Sequence, residues 1–187
     1  MRLRQKTSED NLYWLIELLP ENPYSVIKAF KKEVREKANS TLENYTSSLG
    51  IQYFYDDDEA LDCEKWIKSN IEKAFEAFNI KKKIIKCTKK WSIKYPPGGW
   101  QALHAHGRKE NHENIITSVL YFDGKETSVI DGALATVWPG ENNTMGWHES
   151  PTEPGKLIIM SGNLVHGAYP CSYERNIIVM DFWIDDA

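Results

Sequence analysis

The chain has 187 residues, 41% of them hydrophobic and 27% charged, and a formal net charge of −4. That length bounds it to one domain over 1–187 with a core that needs no staples, and the composition is that of a soluble globular protein rather than a disordered or fibrous one. The acidic balance gives no global case for nucleic-acid binding, the three cysteines form no C-x-x-C pair, and no apolar run reaches membrane-spanning length.

The start, Met1-Arg2-Leu3-Arg4-Gln5-Lys6, runs on into acidic residues with no apolar h-region, so a reducing cytoplasm is the expected compartment. The N-x-S/T acceptors at Asn39, Asn44 and Asn142 then read as chance matches. Residues 1–83 read as a helical support region. Asn22-Pro23 supplies a cap and a first-turn proline, after which Val26, Ile27, Phe30 and Val34 recur at helical spacing. A second helix is marked by Cys63, Trp66, Ile67, Ile71, Ala74, Phe75 and Phe78, a stripe read as core packing rather than a cofactor box. Between them, Tyr53-Phe54-Tyr55-Asp56-Asp57-Asp58 reads as a short strand and an acidic turn, lacking the Gly and terminal Glu of a calcium loop. Lys81, Lys82, Lys83, Lys86, Lys89 and Lys90 read as solvated lysines beside an edge strand.

From residue 84 the texture changes to short extended runs parted by Gly, Pro and Asn: 84–95, 100–106, 115–122, 133–138, 156–160, 164–168 and 176–184. Such spacing predicts an all-β sandwich or barrel. In the last run Ile177, Val179 and Trp183 fall on one face and Ile178, Met180, Phe182 and Ile184 on the other. Both faces are apolar, which places one toward a barrel interior and the other under the N-terminal helices.

Chemistry concentrates in His104-Ala105-His106, with His166 sixty residues on and Arg175 nine beyond that. Two imidazoles at i and i+2 on an extended strand share a face, and a third from a distant strand completes a three-point claw with open positions opposite. A guanidinium nearby can hold a carboxylate bidentately. Glu110 and Asp131 are the carboxylates that could replace His106 as third ligand. His112, in a charged turn, reads as a solvated surface residue.

These residues, with the runs 91–100, 118–123, 132–134 and 154–160, resemble the 2-oxoglutarate/Fe(II)-dependent dioxygenases, in particular prolyl-hydroxylase-like members and a branch carrying H-x-H where most carry H-x-D. The resemblance implies a mainly β fold, a double-stranded β-helix (jelly roll) over 84–187 with flanking helices. It implies Fe(II) held by His104 and His166, joined by His106. It also implies 2-oxoglutarate held at its far carboxylate by Arg175 with help from Tyr95 or Tyr121. Dioxygen is the third reactant, and the implied reaction hydroxylates a C–H bond while releasing succinate and CO₂. A peptidyl proline, an amino acid, a nucleobase and a small metabolite fit the motifs equally as primary substrate.

Two other readings compete. A cupin would use His104, His106, Glu110 and His166 without 2-oxoglutarate, and would have no need of a buried cation at position 175. A degenerate jelly roll serving as a structural or carbohydrate-binding module would not retain iron. The polar stretch 140–154 reads as a long loop over the barrel mouth, from which Trp147 and His148 are candidates to touch substrate.

Overall fold

The computed structural model describes residues 1–8, 13–35, 47–48, 50–106, 114–124, 130–139 and 144–187. Eight strands follow one another in the second half: β5 (Lys82–Tyr95), β6 (Trp100–His104), β7 (Ile115–Tyr121), β8 (Leu134–Pro139), β9 (Met145–Ser150), β10 (Leu157–Ser161), β11 (Val165–Ala168) and β12 (Arg175–Asp186). Before them come β1 (Arg2–Thr7), β2 (Trp14–Leu19), helix α1 (Pro23–Phe30), a 3-10 turn at Lys31–Glu33, β3 (Ser47–Ser48), β4 (Ile51–Phe54) and helix α2 (Asp62–Ala77).

The strands form a seven-stranded sheet, ordered β1-β2-β10-β7-β12-β5-β4, and a five-stranded sheet, ordered β3-β6-β11-β8-β9. Within β5 to β12 the larger sheet takes β5, β7, β10 and β12 and the smaller takes β6, β8, β9 and β11, each paired antiparallel to its neighbours. That is the double-stranded β-helix. The crossing from β5 to β6 is a tight turn in which the Gly99 amide bonds the Pro96 carbonyl at 2.9 Å. Pro97 stands at its second position and Gly98, at φ +85°, at its third, the arrangement of a type II turn that a Cβ would strain.

Two apolar cores lie on either side of the larger sheet. Between the sheets sit Leu15, Ile93, Val119, Leu134, Trp138, Ile158, Ile177 and Val179. On the outer side Ile16, Leu18, Ile116, Leu120, Ile159, Ile178, Met180 and Phe182 meet Val26 of α1 and Ile67, Ile71 and Phe75 of α2. The two-faced reading of β12 and the stripe on α2 are both realised, except that Trp183, beside the register shifts at the end of β12, is partly exposed and joins neither core. Helix α1 begins as its sequence dictates, with the Asn22 side chain accepting from the Ser25 amide at 3.1 Å.

The helical reading of residues 1–83 is corrected. The two helices stand, but β1 and β2 are an antiparallel pair that extends the larger sheet past β10, and β4 closes its other end. Trp14–Leu19 buries Leu15, Ile16 and Leu18 on two opposite faces, so it behaves as an interior strand too short to show a period. The lysine run is mostly as expected, with Lys82 paired to Asp186 at the exposed end of β5. Lys90 departs from it: it is buried, donating to the carbonyls of Asp57 and Glu59 and to Glu64 at 3.2 Å. Those same bonds occupy the acidic turn after β4. The N-x-S/T asparagines Asn39 and Asn142, and Asn44, lie outside the described residues.

Ile71 is fully buried where α2 meets the larger sheet. Ile71→Ala should cost about 2–5 kcal/mol of stability through the lost transfer energy and the cavity left behind. Urea unfolding should show a lower midpoint with the slope against denaturant unchanged.

Candidate metal and anion site

His104 ends β6 and His166 lies on β11, and the antiparallel ladder sets the two opposite each other. His106 follows two residues past His104, just beyond the strand, where its amide bonds the Gly162 carbonyl at 2.8 Å. The i, i+2 spacing therefore delivers both rings to the inner face although the strand itself has ended. The three rings converge between the sheets, with one ligand nitrogen of each lying within 4.8 Å of the others.

The hydrogen bonds settle which nitrogen each ring offers. His104 Nδ1 is 2.9 Å from the Ala102 carbonyl and His166 Nδ1 is 2.8 Å from the Leu164 carbonyl. A carbonyl oxygen only accepts, so both Nδ1 atoms carry hydrogen and both Nε2 atoms keep a lone pair. His106 Nδ1 lies 2.7 Å from Asp181 Oδ1, which fixes the same tautomer. His104 Nε2 and His106 Nε2 then face each other at 3.1 Å. Two bare lone pairs repel at that distance unless a cation lies between them, and nitrogens about 2.1 Å from one ion at right angles stand about 3 Å apart. Burial first, then the neighbouring imidazoles, hold the pKa of His166 well below the ordinary histidine value, and that of His104 is lowered for the same reasons. Neutral imidazole is the ligating form. The donor set fits a divalent transition metal with open positions.

The same cavity contains Arg175, Tyr95 and Tyr121 together with Trp91 and Gln101, walled by Ile93, Val119, Leu134, Ile177 and Val179. Arg175 opens β12 opposite Tyr95 of β5 and is only 1% exposed. Its Nη1 donates to the Gly132 carbonyl, and its guanidinium stacks 4.4 Å from the centroid of the Tyr95 ring. Nε and Nη2 have no hydrogen-bond partner among the described residues. A buried guanidinium with idle donors is costly, and an anionic ligand would remove that cost. The Tyr95 hydroxyl donates to Gln101 Oε1. Tyr121 is fully buried, and burial raises its phenol pKa far enough that it remains a hydroxyl despite the opposing pull of Arg175.

Asp131 is not a third ligand. Its carboxylate accepts from the Ser172 amide and hydroxyl, both at 2.6 Å, bracing the turn whose next residue, Gly132, holds Arg175. Glu110 and His112 lie outside the described residues. The long-loop reading of 140–154 is corrected in part: 145–150 form β9, paired to β8. Neither Trp147 nor His148 lines the cavity; Trp147 is half exposed and donates to the Tyr169 hydroxyl at 2.8 Å. The three cysteines are free, and burial raises the pKa of each, that of Cys87 to about 12, so no thiolate competes for metal. Sequence reading missed Asp181. The signal was present, since a carboxylate shares a strand face with Ile177 and Val179 inside an otherwise apolar run.

No protein-family model and no curated protein matches the chain. Solved structures match it in fold. A prolyl-4-hydroxylase from Pseudomonas putida aligns over 97% of this chain and 91% of its own, with a TM-score of 0.60 and 17% identity. A viral collagen prolyl hydroxylase from Paramecium Bursaria Chlorella virus-1, solved as its 2-oxoglutarate complex, aligns over 99% and 96%, with a TM-score of 0.52 and 14% identity. HygX from Streptomyces hygroscopicus, with nickel and 2-oxoglutarate bound, aligns over 90% and 82%, with a TM-score of 0.65 and 9% identity. At such identities the shared property is the fold, and the jelly roll expected from the oxygenase resemblance is the one found.

His104→Ala and His166→Ala should each weaken Fe(II) or Ni(II) binding by orders of magnitude, read by titration against a competing chelator with folding checked by circular dichroism. Metal uptake like that of the wild type in both variants would exclude this site. The metal-free protein should also lose stability in acid. With folded pKa values of His104 and His166 depressed, the unfolded chain binds more protons below about pH 6.5, so stability falls as pH falls toward the folded values. Thermal melts across that range should show a shallower slope in His166→Gln.

Proposed function

We propose that the protein is an Fe(II)- and 2-oxoglutarate-dependent oxygenase that hydroxylates a C–H bond of a primary substrate. The observation that carries this reading is the pairing, in one cavity, of three convergent imidazole lone pairs with a buried guanidinium that keeps two nitrogens idle. The overall balance is substrate C–H plus 2-oxoglutarate plus O₂ giving substrate C–OH, succinate and CO₂. Iron, when bound, supplies the redox and Lewis-acid chemistry that activates dioxygen.

In this reading His104, His106 and His166 would hold the ion, and three ligands would leave it positions open for co-substrate and oxygen. Arg175 binds the far carboxylate of 2-oxoglutarate through charge-assisted hydrogen bonds, kept in plane by the Tyr95 ring beneath it and by the Gly132 carbonyl. The Tyr121 hydroxyl stays protonated and is the further donor in that half of the cavity. Ile93, Val119, Leu134, Ile177 and Val179 keep the walls dry, which strengthens each of these contacts. Arg175 also separates this reading from the cupin one, which gives that cation nothing to bind.

Arg175→Met should weaken 2-oxoglutarate binding at least tenfold, corresponding to a lost charge-assisted contact of roughly 1.5–3 kcal/mol, while leaving metal affinity nearly unchanged. Gly132→Ala should act in the same direction from the backbone side. Its φ is +74°, and a Cβ there would stand 2.8 Å from Arg175 Nη1. Anaerobic titration of iron-loaded protein with 2-oxoglutarate, by calorimetry or by the charge-transfer band of a chelated 2-oxo acid, measures both. Iron-loaded wild type that binds no 2-oxoglutarate would overturn the assignment in favour of the cupin reading.

A further inference from the structure

His106 differs from the other two imidazoles in what holds it. The Nδ1–H groups of His104 and His166 are bonded to neutral backbone carbonyls, whereas that of His106 meets the Asp181 carboxylate at 2.7 Å. Asp181 lies on the inner face of β12, and its side chain and that of His106 are each 8% exposed. Thr117, its ladder partner on β7, donates its hydroxyl to the same Oδ1 at 2.8 Å. The ring itself is clamped by Trp91, stacked at 5.5 Å and 22°, with Phe54 stacked behind Trp91 at 5.7 Å. Two donors and an aromatic wall thus hold one carboxylate against one imidazole.

We propose that Asp181 is a positioning residue through which this site regains the negative charge that a two-histidine, one-carboxylate triad takes from its directly coordinating carboxylate. The inference rests on the reading that His104, His106 and His166 hold the metal. A divalent ion with three neutral imidazoles leaves two positive charges in a dry cavity. With Asp181 one imidazole away, the unit carries one, as the commoner triad does. A carboxylate on Nδ1–H also makes Nε2 the more basic donor and fixes its direction. His106 and Asp181 together therefore act as an extended carboxylate, reaching the metal through a ring instead of directly.

A double-mutant cycle on full-length protein tests this, read by Co(II) and Fe(II) affinity in chelator competition and by the visible spectrum of the Co(II) form, without recourse to turnover. Asp181→Asn keeps the shape and removes the charge, and should lower metal affinity about 10- to 100-fold with the fold intact. In a His106→Asp background the carboxylate is supplied directly, so adding Asp181→Asn should cost less than about threefold or improve binding by removing the repulsion between two carboxylates. Thr117→Val, which frees Oδ1 from one donor, should lower affinity several-fold in the wild type and not at all in His106→Asp. This keeps the question answerable if Asp181→Asn does not fold alone. Folded Asp181→Asn that binds metal within threefold of wild type, or equal losses in the two backgrounds, would overturn the role and leave Asp181 a packing residue. A wild-type protein that takes up no metal would instead overturn the metal reading, and this inference with it.

Discussion

Strand β12 is the constraint on which the rest of the molecule depends. It lies inside the larger sheet, hydrogen-bonded along its length to β5 and over much of it to β7, so its register is fixed from both sides. Because side chains alternate with a period of two, that register decides three things together. Ile178, Met180 and Phe182 go outward to the helices, Ile177 and Val179 go inward, and the polar members of the inner set reach the site, Arg175 in the cavity wall and Asp181 against the His106 ring. A slip of one residue would exchange the two cores and expel both charges from the site.

The chemistry of the site is set as much by acceptors as by ligands. Backbone carbonyls at Ala102 and Leu164 lie two residues before the histidines they orient, so the strand that delivers each ring also selects its tautomer. Desolvation then holds the rings neutral. Arg175 experiences the converse: the same burial that keeps histidine uncharged makes a guanidinium with idle donors expensive, and its hydrogen-bond partner among the described residues, the Gly132 carbonyl, is neutral. Low dielectric thus sets neutral imidazole lone pairs at one end of the cavity and an uncompensated guanidinium at the other.

Seven of the eight strands from β5 to β12 were legible because each is bounded by turn residues and several alternate cleanly, and α2 was legible because its stripe persists for more than four turns. The histidine cluster followed from i, i+2 geometry. The N-terminal strands were not legible: Trp14-Leu15-Ile16-Glu17-Leu18-Leu19 is apolar on both faces, a pattern that a short buried helix shares. Strand β9, with exposed Met145 and Trp147 beside Gly146, looks like loop because it is the outermost strand of the smaller sheet and has few neighbours to demand an apolar face. Asp131 resembled a ligand by type, yet its lone pairs are spent on Ser172. No local pattern reveals such a pairing, since it depends on two loops meeting across forty-one positions.

The pairing of β1 with β2, and of β2 with β10, has a consequence for the integrity of the chain in solution. Strand β10 reads Leu157-Ile158-Ile159-Met160-Ser161, uncharged and apolar on both faces, and β2 covers its otherwise open edge. The outer edge is passed on to Arg2-Leu3-Arg4-Gln5-Lys6-Thr7, where alternating cations discourage a second chain from docking. A proteolytic nick that released the first twenty residues would leave the histidines and Arg175 in sequence but uncover a sticky ladder of the kind that seeds intermolecular β-assembly. The β1–β2 pair therefore covers the edge along which such an assembly would start.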